Sequence, residues 1–248
     1  MNKLCIITGS NGAIGKELVS IFQKNAYNIF GIDLLNKNTS VKNVTYKDID
    51  LFSYVDENDV RKALDDSIKE ICKKNPTEII LINNAAIQQT ANFKKLTLNE
   101  LKTSIYVNSL APLLISQTIT NHYKKNIKII NIGSVHAKQT KKNFLAYAGS
   151  KSLLESFSRS MAIELSNKKT SVIHINPGAI KTPMLIDGFK DKTLVKNLEK
   201  LIPATYIPDA SEFADFVFYI SNLNSNYSSG TVIDYNGAIT HTLSDPEN

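Results

Sequence analysis

Short β-branched runs alternate along this chain with longer stretches of helical periodicity, and that alternation leaves few folds open. Leu4–Thr8, Asn28–Asp33, Val44–Asp48, Ile79–Asn83, Ile127–Ile132, Ser171–Ile175 and Thr231–Asp234 read as strands. They are near-continuously apolar, as strands covered on both faces should be. Between them, Thr97-Leu98-Asn99-Glu100 has the form of a capping box, in which hydroxyl and carboxylate satisfy end donors reciprocally. Leu153, Leu154, Phe157, Met161 and Leu165 give a later helix its apolar stripe. The alternation predicts an α/β, doubly wound parallel sheet of about seven strands, with right-handed crossovers and helices on both faces. No repeat or linker interrupts it, so residues 1–248 read as a single domain.

Composition removes several function classes. An apolar fraction of 42% supports a core, yet no window approaches the roughly 18 uninterrupted apolar residues of a membrane span. The apolar part of Met1-Asn2-Lys3-Leu4-Cys5-Ile6-Ile7 is too short for a signal peptide. Cys5 and Cys72 give neither a disulfide framework nor metal spacing. A cytoplasmic protein with no membrane partner and no metal is expected. The net charge of +6 comes from scattered lysines without aromatic interleaving, so no nucleic-acid partner is expected.

Ligands of doubly wound sheets bind beyond the carboxyl ends of the strands, and that is where the informative residues fall. Thr8-Gly9-Ser10-Asn11-Gly12-Ala13-Ile14-Gly15 follows the first strand and opens the first helix, the context of a dinucleotide cradle. Gly9 permits a tight turn, Gly12 a close backbone approach to a pyrophosphate, and Gly15 close packing of helix on strand; the helix N-terminus favours phosphate charge. Asp33, ending the second strand, is placed to accept from the adenosine ribose hydroxyls. With no basic residue at Ser10, Asn11 or Leu34, NAD is favoured over NADP, although Lys37 keeps NADP open. Tyr147 and Lys151 lie four apart on a helix and so share a face. A neighbouring ammonium and an oxidised nicotinamide favour the phenolate; bringing a phenol from about 10 to about 7 takes roughly 4 kcal/mol.

The glycine turn, Asn83-Asn84-Ala85-Ala86, Asn108, Ser134, Tyr147 with Lys151, and Asn176-Pro177-Gly178-Ala179-Ile180-Lys181-Thr182-Pro183 occur in this order and at this spacing. Over nearly its whole length the chain thus resembles the classical short-chain dehydrogenase/reductase (SDR) family. The resemblance implies a Rossmann fold and hydride transfer between NAD(P) and an alcohol or ketone. Tyr147 would be the general acid/base, Ser134 would hold the substrate oxygen, and Lys151 would bind the nicotinamide ribose. Asn108 would serve a proton relay through its carbonyl, which Pro112, lacking an N–H, leaves without its helical donor. The resemblance sets Gly9, Asn11, Gly12, Ala13, Ile14 and Gly15 at the pyrophosphate. It sets Asp48 and Ile49 at the adenine, with Asp50 a rival. Asn84, Ala85 and Ala86 would lie beside the nicotinamide ribose, and Pro177, Gly178, Ile180 and Thr182 would flank the nicotinamide. It also implies a homotetramer or homodimer, with the Thr97 and Tyr147 helices paired across subunits.

Two residues depart from the family pattern. Ala13 replaces its second glycine, giving the spacing of the extended branch, which includes epimerases and dehydratases; Ala86 replaces the glycine of Asn-Asn-Ala-Gly. Nucleotide-sugar chemistry and a non-catalytic redox sensor therefore stand as alternatives. A substrate lid is expected over about 184–205, with Leu194, Val195, Leu198, Leu201 and Ile202 as an apolar stripe; an ordinary surface helix is the other reading. Gln88 and His136 could face the substrate, and both types recur here in relatives acting on hydroxy acids or sugars. Lys138, Lys141 and Lys142 would lie above the site, attracting an anion or simply solvated.

Overall fold

The computed structural model describes residues 2–34, 43–166, 169–187 and 192–242. Its strands are β1 Lys3–Thr8, β2 Tyr27–Asp33, β3 Val44–Asp48, β4 Glu78–Asn83, β5 Asn126–Ile132, β6 Thr170–Pro177 and β7 Val232–Tyr235. Every expected strand is present, with ends shifted by at most two residues. They form one parallel sheet in the order β3-β2-β1-β4-β5-β6-β7. The chain runs outward from β1 to β3 and then crosses to β4, so a crevice opens between the carboxyl ends of β1 and β4.

Alternation of side chains gives the sheet two apolar faces. Cys5 and Ile7 face α1 (Ala13–Lys24) and α9 (Ala210–Ser221), meeting Leu18, Phe22, Phe213 and Val217. Leu4 and Ile6 face the other layer, α3 (Asn58–Lys73), α5 (Ala111–His122) and α6 (Leu145–Glu164), with Leu64, Ile68 and Ile115. Each such side chain contributes about 1.5–3 kcal/mol on full burial.

Local chemistry sets the helix ends. Asp50 accepts from the Phe52 N–H at 2.9 Å and caps α2 (Leu51–Asp56). The Thr97/Glu100 capping box forms at the start of α4 (Leu98–Ile105). The single helix expected to carry Asn108 is instead α4 and α5 joined by a π turn, Tyr106–Leu110, in which the Ala111 N–H reaches back five residues to the Tyr106 carbonyl. Pro112 sits just beyond this wide turn, where its missing N–H is tolerated.

The α6 stripe is half as expected. Leu154 and Met161 are buried, but so are Ser150, Lys151, Glu155 and Ser158. The expected lid contains α7 (Pro183–Asp187) and α8 (Lys192–Leu201), with 188–191 outside the described residues. Its apolar stripe splits: Ile202 is buried, Val195 and Leu198 are half-buried, and Leu194 and Leu201 are exposed. Among the described residues no helix is long and apolar enough to cross a membrane.

Candidate active site

At the carboxyl end of β1, Gly9 has φ +67°, a left-handed conformation that favours glycine. A Cβ on Gly15 would lie 1.9 Å from the Gly9 carbonyl oxygen, so only glycine lets α1 start this close to the turn. Gly12 is the N-cap of α1 and supplies no side-chain cap, leaving the helix's first N–H groups open to an anion. The Asn84 amide donates to the Thr8 and Gly9 carbonyls at 3.1 Å, and the Asn84 and Ala85 N–H groups donate to the Thr8 hydroxyl. These bonds fix Asn84, Ala85 and Ala86 against the glycine turn.

Asp33 closes the opposite side. Its carboxylate accepts from the Asn11 N–H at 2.7 Å and from the Leu34 N–H. The Ile49 N–H donates to the Asp33 carbonyl and Asp50 is the α2 cap, so Asp48 and Ile49 lie beside Asp33 while Asp50 has a structural task. All three line an open cleft of about 460 Å³. Lys37 lies outside the described residues. Ile180 is buried in the core on the α1/α9 face, and Ile14 is half-buried against it.

Across the crevice, α6 brings Tyr147 and Lys151 to the end of β5. Tyr147 is 7% exposed and Lys151 2%. Ser134, two residues beyond β5, acts on the phenol to lower its pKa, and its hydroxyl accepts from the His136 N–H. The lowering expected for the Tyr147 phenol depends in part on oxidised nicotinamide beside it. Without that cation, burial pushes the phenol above its usual value, and Ser134 opposes this. Lys151 is held nearby. Its ammonium donates to the Ile132 carbonyl at 2.8 Å, stands 5.9 Å from the Tyr147 ring centroid, and is itself brought down to about 7 by burial.

Asn108 is fully buried and ties three elements together. Its amide accepts from the Ile87 N–H at 2.8 Å and donates to the Ile87 carbonyl and the Ser150 hydroxyl at 2.9 Å. The loop after β4, with Gln88 half-buried on it, is thereby held to α6. The His136 ring packs on Phe144 at 4.7 Å and edge-on to Tyr147 at 5.9 Å. Its Nδ1 is buried without a partner, and burial, aided by Lys141, lowers its pKa, so it is a neutral imidazole beside the phenol. Lys141 lies over the Phe144 ring, whereas the exposed Lys138 is paired with Asp234 at 2.9 Å.

At the other rim, Gly178 donates to the Tyr235 carbonyl, and the Thr182 carbonyl and hydroxyl receive the first N–H groups of α7. Pro177 ends β6. Among the described residues no cluster of His, Cys, Asp and Glu could hold a metal.

Beneath these residues lies a polar layer not foreseen from the sequence. Asn83 donates to Asn131, Asn131 to Ser158, and His174 stands between Ser158 and Asn176. The available signal was a polar residue near the carboxyl end of each of three strands: Asn83, Asn131 and the pair His174/Asn176.

The sequence profile of the short chain dehydrogenase family matches residues 3–193. A 3-oxoacyl-[acyl-carrier-protein] reductase of Buchnera aphidicola subsp. Schizaphis graminum is 29% identical, covering 97% of this chain and 98% of its own. An acetoacetyl-CoA reductase of Acinetobacter is 24% identical, covering 96% and 97%. Among solved structures, a 4-hydroxyisoleucine dehydrogenase complexed with NADH superposes with a TM-score of 0.87 at 23% identity, over 98% of this chain and 100% of that one. By the extent of the profile match and the seven-stranded Rossmann-type sheet, this chain belongs to the short-chain dehydrogenase family of oxidoreductases.

Proposed function

We propose that the protein transfers a hydride between a nicotinamide cofactor and an alcohol or ketone, with Tyr147 as general acid/base. The observation that carries this reading is the buried Tyr147 phenol, with Lys151 buried one turn along the same helix at the mouth of the crevice. The glycine turn fits a dinucleotide. Gly9 and Gly15 let the turn, the start of α1 and the Ala85 segment close up where a Cβ would collide, the start of α1 is uncapped, and Ser10 Oγ and Asn11 Nδ2 are buried without partners. In this reading Gly9 to Gly15 hold the pyrophosphate and Asp33 the adenosine ribose. Asp48 and Ile49 lie at the adenine, Asn84 to Ala86 and Lys151 at the nicotinamide ribose, and Pro177, Gly178, Ile180 and Thr182 at the nicotinamide.

When bound, the nicotinamide supplies the hydride at C4 and, when oxidised, a positive charge. Tyr147 passes a proton to or from the substrate oxygen, and Ser134 holds that oxygen. Asn108 and Lys151 lie along the route by which the phenol regains its proton. His136 and Gln88 are the substrate contacts, with the neutral His136 imidazole offering a hydrogen bond rather than a charge. The relatives that reduce 3-oxoacyl and acetoacetyl thioesters support a reductase reading, since both act on ketones.

The test is a fluorescence titration with NADH and NADPH followed by a panel of ketones and alcohols. Oxidation of bound NADH by any ketone supports the proposal; binding of neither cofactor sinks it. NAD is the preferred cofactor, because the Asp33 carboxylate faces the Asn11 N–H where a 2′-phosphate would have to come. Asp33→Ala is expected to narrow the NADH:NADPH affinity ratio by about tenfold, the equivalent of roughly 1.4 kcal/mol; an unchanged ratio would place the discrimination elsewhere. A homotetramer or homodimer follows the same reading, with exposed Leu98 on α4 and Ile163 on α6 as its apolar contacts. Light scattering that returns a monomer mass would remove it.

A further inference from the structure

Ser134 is held from behind by groups that no catalytic role explains. Its N–H donates to Asn176 Oδ1 at 3.0 Å, and Asn176 is wholly buried. The Asn176 amide nitrogen faces two carboxylates, Glu155 Oε2 at 2.8 Å and Asp234 Oδ1 at 3.3 Å. That fixes the amide orientation, since a carbonyl oxygen turned toward two carboxylates would be repelled. Asn176 Oδ1 therefore accepts from both Ser134 and the His174 Nε2–H, 3.0 Å away, and His174 Nδ1 faces the Ser158 hydroxyl at 2.9 Å. Burial lowers the His174 pKa to about 4, in keeping with a neutral ring of this tautomer.

The sequence makes room for this arrangement at one point. A Cβ on Gly133 would lie 2.1 Å from His174 Nε2 and 2.3 Å from Asn176 Oδ1. Only glycine before Ser134 lets the imidazole and amide reach the Ser134 N–H. The far end of the same turn is also tied. Lys138 Nζ bonds both carboxylate oxygens of Asp234 at 2.9 and 3.0 Å. Asp234 thus takes Asn176 on one side and Lys138 on the other.

We propose that Asn176 and the Lys138–Asp234 ion pair are positioning residues for Ser134, clamping both ends of the Ser134–Lys138 turn to β6 and β7. The proposal rests on the reading that Ser134 holds the substrate oxygen. Ser134 presents its hydroxyl to Tyr147 only while its N–H is anchored. A displacement on the order of 1 Å at a reacting group can cost about a hundredfold in rate.

Asn176→Asp tests this without changing shape. The new carboxylate still accepts from Ser134, but it meets Glu155 from α6 and Asp234 from β7, with Lys138 and Arg159 engaged behind those two and neutral His174 beside it. Two readouts are taken across pH: hydrogen exchange of the 134–139 segment in the unliganded protein, and kcat on the ketone found in the panel. At high pH, exchange is expected to quicken and kcat to fall by roughly ten- to a hundredfold, with NADH affinity unchanged. As pH falls, protonation restores a donor toward Glu155 and both readouts return toward wild type. Lys138→Met, a substitution at an exposed side chain that folds whatever the fate of Asn176→Asp, is expected to move both in the same direction by less, without the recovery.

Wild-type exchange in both variants overturns the clamp. Quickened exchange with unchanged kcat overturns the positioning role. If the wild-type protein turns over no carbonyl compound, the redox reading fails, while the exchange readout still decides whether the clamp exists.

Discussion

Tyr147→Phe is expected to bind NADH with wild-type affinity and to lose turnover by on the order of 10³-fold or more, the upper range of general acid–base effects. The phenol is 7% exposed, so the phenyl ring fills the same space and the variant should fold. The loss falls on kcat because the hydroxyl is the only group at the Ser134 end of α6 placed to exchange a proton with the substrate oxygen in the proposed reading. Single-turnover kinetics with prebound NADH would check it. Turnover within tenfold of wild type would remove Tyr147 as the acid/base.

Lys151→Met should produce the opposite signs in two assays: lost turnover and gained stability. Moving an ammonium from 10.5 to about 7 by burial means that folding pays for a buried charge at and below neutral pH. At about 1.36 kcal/mol per unit the cost reaches a few kcal/mol, partly offset by the bond to the Ile132 carbonyl. Below pH 7 the amine is charged folded and unfolded, and the full cost applies. Between 7 and 10.5 the unfolded chain holds the extra proton, so wild-type stability rises with pH; above 10.5 the cost has vanished. Unliganded Lys151→Met is thus expected to be more stable by ~1–3 kcal/mol at pH 7, with the gap closing as pH rises toward 10.5. Urea unfolding at pH 7 and 9.5 would check it, and a variant less stable at pH 7 would show that the hydrogen bond outweighs the buried charge.

The fold was legible because its signals are local. Strand runs, the capping box and the glycine turn each depend on a few neighbouring residues, and each lies where the sequence put it. The glycine turn, Asp33, Asn84 and Ser134 lie at strand carboxyl ends as the sequence predicts, whereas Asn108 sits on the π turn and Tyr147 and Lys151 on α6. What the sequence did not disclose depends on partners distant in the chain. Asp50 could be separated from Asp48 only by seeing which carboxylate caps α2. Lys138 reads as a loop cation until Asp234, 96 residues on, is found beside it. The setting of Tyr147 and Lys151 is hidden for the same reason. Their spacing on α6 is visible in the sequence, but the depth of burial and the Ile132 carbonyl that accepts from the lysine ammonium are not.

The buried amide row has a consequence for how the chain assembles. Asn83, Asn131 and His174 occupy paired positions on three adjacent strands, so one line of polar side chains crosses the sheet. A one-residue slip in a parallel pairing would turn a strand's side chains to the opposite face. For β5 that would send Asn131 from Asn83 and Ser158 into the aliphatic layer around Ile82 and Ile175. Each amide stranded there would cost about 1–3 kcal/mol. A strand such as Ile79–Ile82 carries only isoleucine and leucine on both faces and discriminates poorly between registers. The polar row therefore acts as an alignment key, through which mispaired intermediates are penalised before the crevice is complete.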